Sequence, residues 1–521
     1  MGVWAAIAIS HVGLLRLPYY WDEAGYYIPA AFDFFRLRTL VPVSTLSNAH
    51  PPLPSIYLAA CWAVFGFHPL VTRLAVAAIS ALGLLAVYRL ATHLISVRSV
   101  AIAVTALTML YPVWFAQSTL AHADIFAAAA TLWGLAFLCE EPPRFWPAGI
   151  CFAIAALSKE TAVITPLALL SWLAWKTFRG NKSAATRQTF ALLLAPLALA
   201  CWYAYHWHRT GFIFGNPEYL RYNAVGTFHA AHILYAAWLR VWHVAGHMNL
   251  WVATLLTLCV WLLPPRHIPS TIASQKDVIP GERKRVEEPA VQLHRARQIL
   301  LVTFFVNLAA FSFLGGAILT RYVLPLFPLV LLFHVAFWRD RTRWWPLAAF
   351  VTAVAFIAGL FFDPPYQFAA EDNLSYAAAI RVEQQAISRL VSNSAAPPTI
   401  VTAWPVSDYL AKPELGYVQT PVPVVTLKNF SLQQLLLARQ QHYDAALIFY
   451  QTRPAPLLAP LSSALPDASA TADLPAPLAA RLLGGEIEWQ ALERRHYAAV
   501  VQRNGPVDAQ SAPANFIMAA R

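Results

Sequence analysis

Charge is scarce in this chain: only 12% of its 521 residues are Asp, Glu, Lys or Arg, against about 25% in soluble domains, which excludes an ordinary soluble protein. Cysteine is sparse too, five in all, each inside an apolar run and none in a C-x-x-C pair, so neither a disulfide framework nor a thiolate metal site is indicated. No glycine-rich phosphate cradle of the P-loop kind occurs, and nothing points to a bound nucleotide. The first residues have neither the basic start nor the cleavage site of a signal peptide. What abounds is oil: 58% of the chain is apolar or aromatic, and the mean hydropathy is +0.50. The net charge of +11 would suit nucleic acid, but a basic membrane protein carries the same excess in its loops. Nucleic acid is not expected as a partner.

About eleven apolar runs approach the roughly 20 residues that cross a bilayer core. They cover residues 1–17, 69–91, 99–116, 121–139, 146–158, 160–175, 189–205, 247–263, 298–316, 322–338 and 345–362. The first is short and carries His11 and Arg16, so either the true start lies upstream or the helix runs on into the aromatic belt at Tyr19, Tyr20 and Trp21. Lys and Arg concentrate in three loops, with four in residues 176–188, seven in 264–297 and three in 339–344. With these spans all three loops share one side. If that side is cytoplasmic, the segment at Asp22, the 206–246 loop and everything after residue 362 face outward.

After residue 362 the composition shifts to Pro, Gln, Asp and Ser, which marks residues 363–521 as a small soluble α/β domain outside a transmembrane domain over 1–362. Within it SYAAAIRVEQQAISRLV (375–391) has helical periodicity, whereas TIVTAW (399–404), PVVTL (423–427), AALIFY (445–450) and YAAVVQR (497–503) are of strand length. The Pro- and Ala-rich stretch 454–480 is expected to be a mobile loop.

Two carboxylates, Asp22 and Glu23, stand in YYWDEAGYYIPAAF (19–32), straight after the first apolar run. A solvated helix end with aromatic neighbours is the bland explanation. In the same outer loop (18–68), NAHPPLP (48–54) stiffens the backbone with three prolines and holds His50 extended. The segment HAAHILYAAWLRVWHVAGH (229–247) reads as an amphipathic helix in the interface. Its histidines, with His206 and His208, supply pairs rather than the three or four ligands zinc needs, so no divalent metal or other cofactor is expected.

The pattern of Asp22, Glu23 and Tyr26 followed by His50-Pro51-Pro52-Leu53 resembles the first outward loop of the GT-C membrane glycosyltransferases, in the branch of the protein O-mannosyltransferases and lipid A aminoarabinose transferases. ALSKETAVITP (156–166), LTRYVLPLFP (319–328) and, more weakly, STLAHADIFAAAA (118–130) are similar to further stretches of that family in the same order. Ala49 and His50 stand where the aminoarabinose transferases have an acid and a lysine, which is nearer the mannosyltransferase pattern.

The resemblance implies a polytopic helical enzyme in the bacterial inner membrane. It would move a sugar from a polyprenyl-phosphate donor to a lipid, glycan or protein acceptor on the outer face, with inversion. Such a transfer needs a base, for which Asp22 is the candidate, and cations for the lipid phosphate. Glu23 would order the loop or bind acceptor, and Tyr26 would line the same face. Arg321 is the leading phosphate ligand because its planar fork matches phosphate oxygens, with Tyr322 beside it; snorkelling to the interface is the alternative. Lys159 and Glu160 would serve the donor or form an ion pair, His50 would bridge the substrates or stand exposed, and Asp124 would bind a sugar hydroxyl or pair with a base. A lipid or sugar transporter shares the composition and the span count, but it would place its polar groups near the midplane. A membrane-anchored interaction protein would leave Asp22, His50 and Arg321 without a purpose.

Overall fold

The computed structural model describes residues 1–95, 97–180, 185–217, 221, 227–264, 280–314, 316–392, 397–452 and 473–503. These form two compact units: one of the described residues in 1–16 and 25–375, the other of residues 17–24, 376–392, 397–452 and 473–503.

The first unit is helical. Among the described residues six helices are long and apolar enough to cross a membrane: Pro69–Leu94, Glu160–Phe178, Arg187–Thr210, Ala230–Trp261, Leu293–Phe313 and Thr320–Arg341. Five shorter apolar helices accompany them: Leu53–Phe65, Arg98–Leu110, Ala123–Cys139, Phe145–Ser158 and Trp345–Phe361. The expected opening span is cut short, since its helix covers only Gly2–Ser10 and His11 closes it by bonding back to the Ile7 carbonyl at 2.9 Å. The helix at 53–65 lies outside the expected spans. Pro52 caps it and Pro54 sits in its first turn, so these prolines start a helix as well as stiffening the loop. Small residues set the packing distance. A Cβ on Gly149 would stand 2.2 Å from the Ala191 carbonyl oxygen, so glycine lets Phe145–Ser158 lie against Ala185–Thr210.

The 229–247 segment is helical over Ala230–Ala245, with its polar face turned inward: His232, Arg240 and His243 are buried, while Leu234, Trp238 and Val241 are exposed. It runs through a kink at Met248 and Asn249 into the helix Leu250–Trp261. Helix also begins at Pro280, inside the expected 264–297 loop. Lys182, Arg266 and Lys276 lie outside the described residues.

The second unit is a five-stranded mixed sheet with helices. Its strands are β1 (Ile400–Ala403), β2 (Val424–Leu427), β3 (Ala445–Gln451), β4 (Gly485–Glu493) and β5 (His496–Arg503), in the order β2-β1-β3-β5-β4. β1 runs parallel to β2 and β3, and β5 pairs antiparallel with β3 and β4. All four residues of β1 are buried, as a central parallel strand requires. Leu435 from Leu432–Arg439 and Ala479 and Leu483 from Ala476–Leu483 join Val401, Ile448 and Val501 in one core. The helix Ala476–Leu483 begins inside the stretch expected to be mobile and runs past its end, while residues 454–472 of that stretch lie outside the described residues.

Glu383, on the helix Ser375–Ser392, is buried, and its Oε2 finds no hydrogen-bond partner among the described residues. Burial pushes its carboxyl up to about 8, so the folded unit holds it neutral at pH 7. A carboxyl raised on folding stabilises fully below its unfolded value of 4.5, and that contribution fades as pH rises towards 8. The thermal midpoint of the purified chain is therefore expected to fall between pH 6 and pH 9, and Glu383→Gln, which never ionises, to flatten that fall. A decline of equal size in both proteins would refute the assignment.

Candidate active site

Two helix ends and one turn bring the first unit's charges together. Asp124 occupies the first turn of Ala123–Cys139, where the helix dipole favours an anion, and Lys159 caps the C-terminus of Phe145–Ser158, where it favours a cation. The Lys159 ammonium donates a hydrogen bond to Asp124 Oδ1. Arg321 enters from the turn Thr320–Leu326: its Nε lies 3.3 Å from Asp124 Oδ2, and its Nη1 pairs with Glu371 Oε1. All four side chains are buried. Their charges cancel, which is what makes such burial tolerable; removing one partner of a buried pair typically costs about 3–5 kcal/mol.

Asp124, Lys159, Arg321 and Tyr322 line one cleft with Thr131, Thr165, Asn307 and Phe311. The Tyr322 ring takes Lys159 Nζ at 4.2 Å from its centroid and the Arg240 guanidinium at 5.7 Å. Arg240 is fully buried and donates to backbone carbonyls, Phe311 at 3.1 Å and Leu319 at 2.7 Å. It thus clamps the chain just before Arg321. Thr320 donates to Asp372 Oδ2 at 2.9 Å, and the same oxygen contacts His247 Nε2 at 3.0 Å. Leu319 and Thr320, the two residues before Arg321, are thereby anchored.

A second polar group adjoins through the Lys159–Glu160 step. His50 Nδ1 bonds Glu160 Oε2 at 3.0 Å, with Tyr26 edge-on at 4.9 Å and Tyr27 stacked at 5.7 Å from the imidazole. Ala49, with φ of +56°, turns the chain into His50, and Trp202 Nε1 donates to its carbonyl at 2.8 Å.

Asp22 and Glu23 belong to the second unit. Glu23 is fully buried; its Oε2 accepts the Tyr20 amide at 3.1 Å while its own amide donates to the Tyr20 carbonyl at 3.0 Å, so that side chain and backbone together close the turn. Asp22 is half-buried.

The structure thus gathers Asp124, Lys159, Arg321 and Tyr322 in one cleft, and Tyr26, His50 and Glu160 in an adjoining group. Glu371, Arg240 and Asp372 escaped the sequence, and His247 drew attention there only as a metal-ligand candidate. Arg240 carried a signal, a charge within an apolar helix, and so did Arg73, which is buried in Pro69–Leu94 and donates to the Thr119 carbonyl at 2.9 Å. Glu371 and Asp372 were masked by the polar composition that follows the last span. Among the described residues no group of three or more His, Cys, Asp or Glu is placed to hold a metal ion.

Residues 49–206 match the family model described as dolichyl-phosphate-mannose-protein mannosyltransferase. That stretch holds His50, Asp124, Lys159 and Glu160 and stops short of Arg321. No curated protein matches the sequence. The crystal structure of ArnT from Cupriavidus metallidurans in the apo state superposes with a TM-score of 0.51 at 13% identity, covering 96% of this chain and 97% of that one. The chain has the fold of ArnT. ArnT bound to undecaprenyl phosphate gives a TM-score of 0.50 at 13% identity over the same shares. Family match and fold together point to a multi-pass membrane enzyme similar to the GT-C glycosyltransferases.

Proposed function

We propose that this protein transfers a sugar from a polyprenyl-phosphate donor to an acceptor on the outer face of the membrane, with inversion at the anomeric carbon. The observation that carries this is the cleft where Lys159 and Arg321 meet Asp124 and Glu371 in a chain with the ArnT fold. A phosphate oxygen entering there competes with the two carboxylates for the same N–H donors. Arg321 offers the planar fork and Lys159 the point charge. Asp124 orients both cations and is placed to accept from a sugar hydroxyl. Asp22 acts as general base, taking the proton of the acceptor as it attacks. Glu23 orders the Asp22 segment, and Tyr26, His50 and Glu160 hold the acceptor side. The soluble domain and the Asp22 segment face outward from a bacterial inner membrane, with the basic loops in the cytoplasm.

In proteoliposomes supplied with a polyprenyl-phosphate sugar, the purified chain should release free polyprenyl phosphate in step with glycosylated product, both read by mass spectrometry. Movement of intact donor between leaflets without release would instead make it a transporter.

A further inference from the structure

The backbone just before Asp22 is strained. Trp21 has φ of +48°, a left-handed conformation that a bulky side chain keeps only where its surroundings over-determine it. Those surroundings come from the C-terminal domain, with which residues 17–24 form one compact unit. The Trp21 amide donates to the Tyr409 hydroxyl at 3.0 Å, and the indole packs edge-on against Trp404 with ring centroids 5.0 Å apart. Tyr409 cannot follow a movement of Trp21, because it is fully buried and stacked on Tyr417 at 4.0 Å. One residue earlier the Tyr20 amide is held by Glu23, and before that the Tyr19 amide donates to the Leu415 carbonyl at 3.2 Å. The amides of residues 19, 20, 21 and 23 all have acceptors, and a left-handed corner in the midst of them fixes the direction in which the next residue leaves. That residue is Asp22.

We propose that Trp21 and Tyr409 are positioning residues for the transfer reaction: the C-terminal domain holds a strained corner that aims the Asp22 carboxylate. The claim rests on the reading of Asp22 as the base, and it gives the soluble domain a part in the chemistry apart from any part in acceptor choice. It also explains why Glu23 is spent on the backbone, since its bond to the Tyr20 amide closes the corner from the other side.

Tyr409→Phe removes the hydroxyl and keeps the ring stack. On the full-length chain, hydrogen exchange of residues 17–24 should quicken by about tenfold or more in this variant, because the Trp21 amide loses its acceptor. Turnover should fall by about fivefold or more with the donor KM within twofold, as expected when a reacting group is misaimed rather than a substrate lost. Trp21→Gly and Trp21→Val both delete the indole, but only glycine adopts the left-handed corner freely, so the glycine variant should turn over about tenfold faster than the valine one. Unchanged exchange in Tyr409→Phe, unchanged turnover in it, or equal rates for the glycine and valine variants would each overturn the proposal. Normal turnover in Asp22→Asn would remove the base and the catalytic purpose of the corner with it; the exchange measurement does not depend on that result and judges the hold on the segment by itself.

Discussion

Asp22→Asn is expected to cut turnover by about 10²- to 10⁴-fold, the usual contribution of a positioned general base. The substitution keeps the shape of the side chain and removes only its basicity, so the loss should fall on kcat, with the donor KM little changed. Rates of product formation at saturating donor in proteoliposomes provide the check. Glu23→Gln is the internal control. Glu23 is fully buried against the Tyr20 amide, and glutamine can still accept that hydrogen bond, so its effect should be at least about tenfold smaller. Were the two variants to lose activity equally, the adjacent carboxylates would share a structural role and Asp22 would not be the base.

Arg321 variants should separate charge from shape. Arg321→Lys keeps the charge but gives up the planar fork, and kcat/KM for the lipid donor is expected to fall by about 10²-fold, comparable to losing charge-assisted hydrogen bonds of about 1.5–3 kcal/mol. Arg321→Ala goes further, because Asp124 and Glu371 would lose the guanidinium they share; a stability loss of about 3–5 kcal/mol should accompany the loss of donor use. Initial rates across a donor series, with thermal midpoints of the same preparations, distinguish the two effects. A normal donor dependence in a folded Arg321→Lys would mean that the guanidinium serves the fold alone.

Side chains whose partners are far along the chain were the hardest to foresee. Charge within apolar sequence made Lys159 and Arg321 conspicuous, since a buried cation needs a reason, and the same logic applied to Arg73 and Arg240 would have found them. Glu371 offered no such contrast, because an acid in a polar stretch looks solvated until the fold lays it against Arg321. The strands at 400–403 and 445–451 were visible as apolar runs because they are largely buried, and the edge strand at 424–427 because Val425 and Leu427 pack into the core. β4 was not, since GEIEWQALE alternates exposed Glu and Gln with half-buried residues at the sheet edge. The helix Ala476–Leu483 was hidden by proline-rich flanks, although Pro475 and Pro477 sit where a helix start tolerates them. Nothing in the sequence announced that residues 17–24 would fold with the C-terminal domain, because that grouping depends on contacts such as Trp21 with Tyr409, 388 residues apart.

The central claim is that the cleft at Lys159 and Arg321 receives the phosphate of a polyprenyl carrier. A polyprenyl phosphate bearing a photoreactive group beside its phosphate, cross-linked to the purified chain and mapped by peptide mass spectrometry, tests that location most directly. The account expects adducts on peptides spanning 156–166 and 319–328, suppressed by excess unlabelled polyprenyl phosphate and lost in Arg321→Ala. Competable adducts confined to other helices, with these two stretches unmarked, would contradict it.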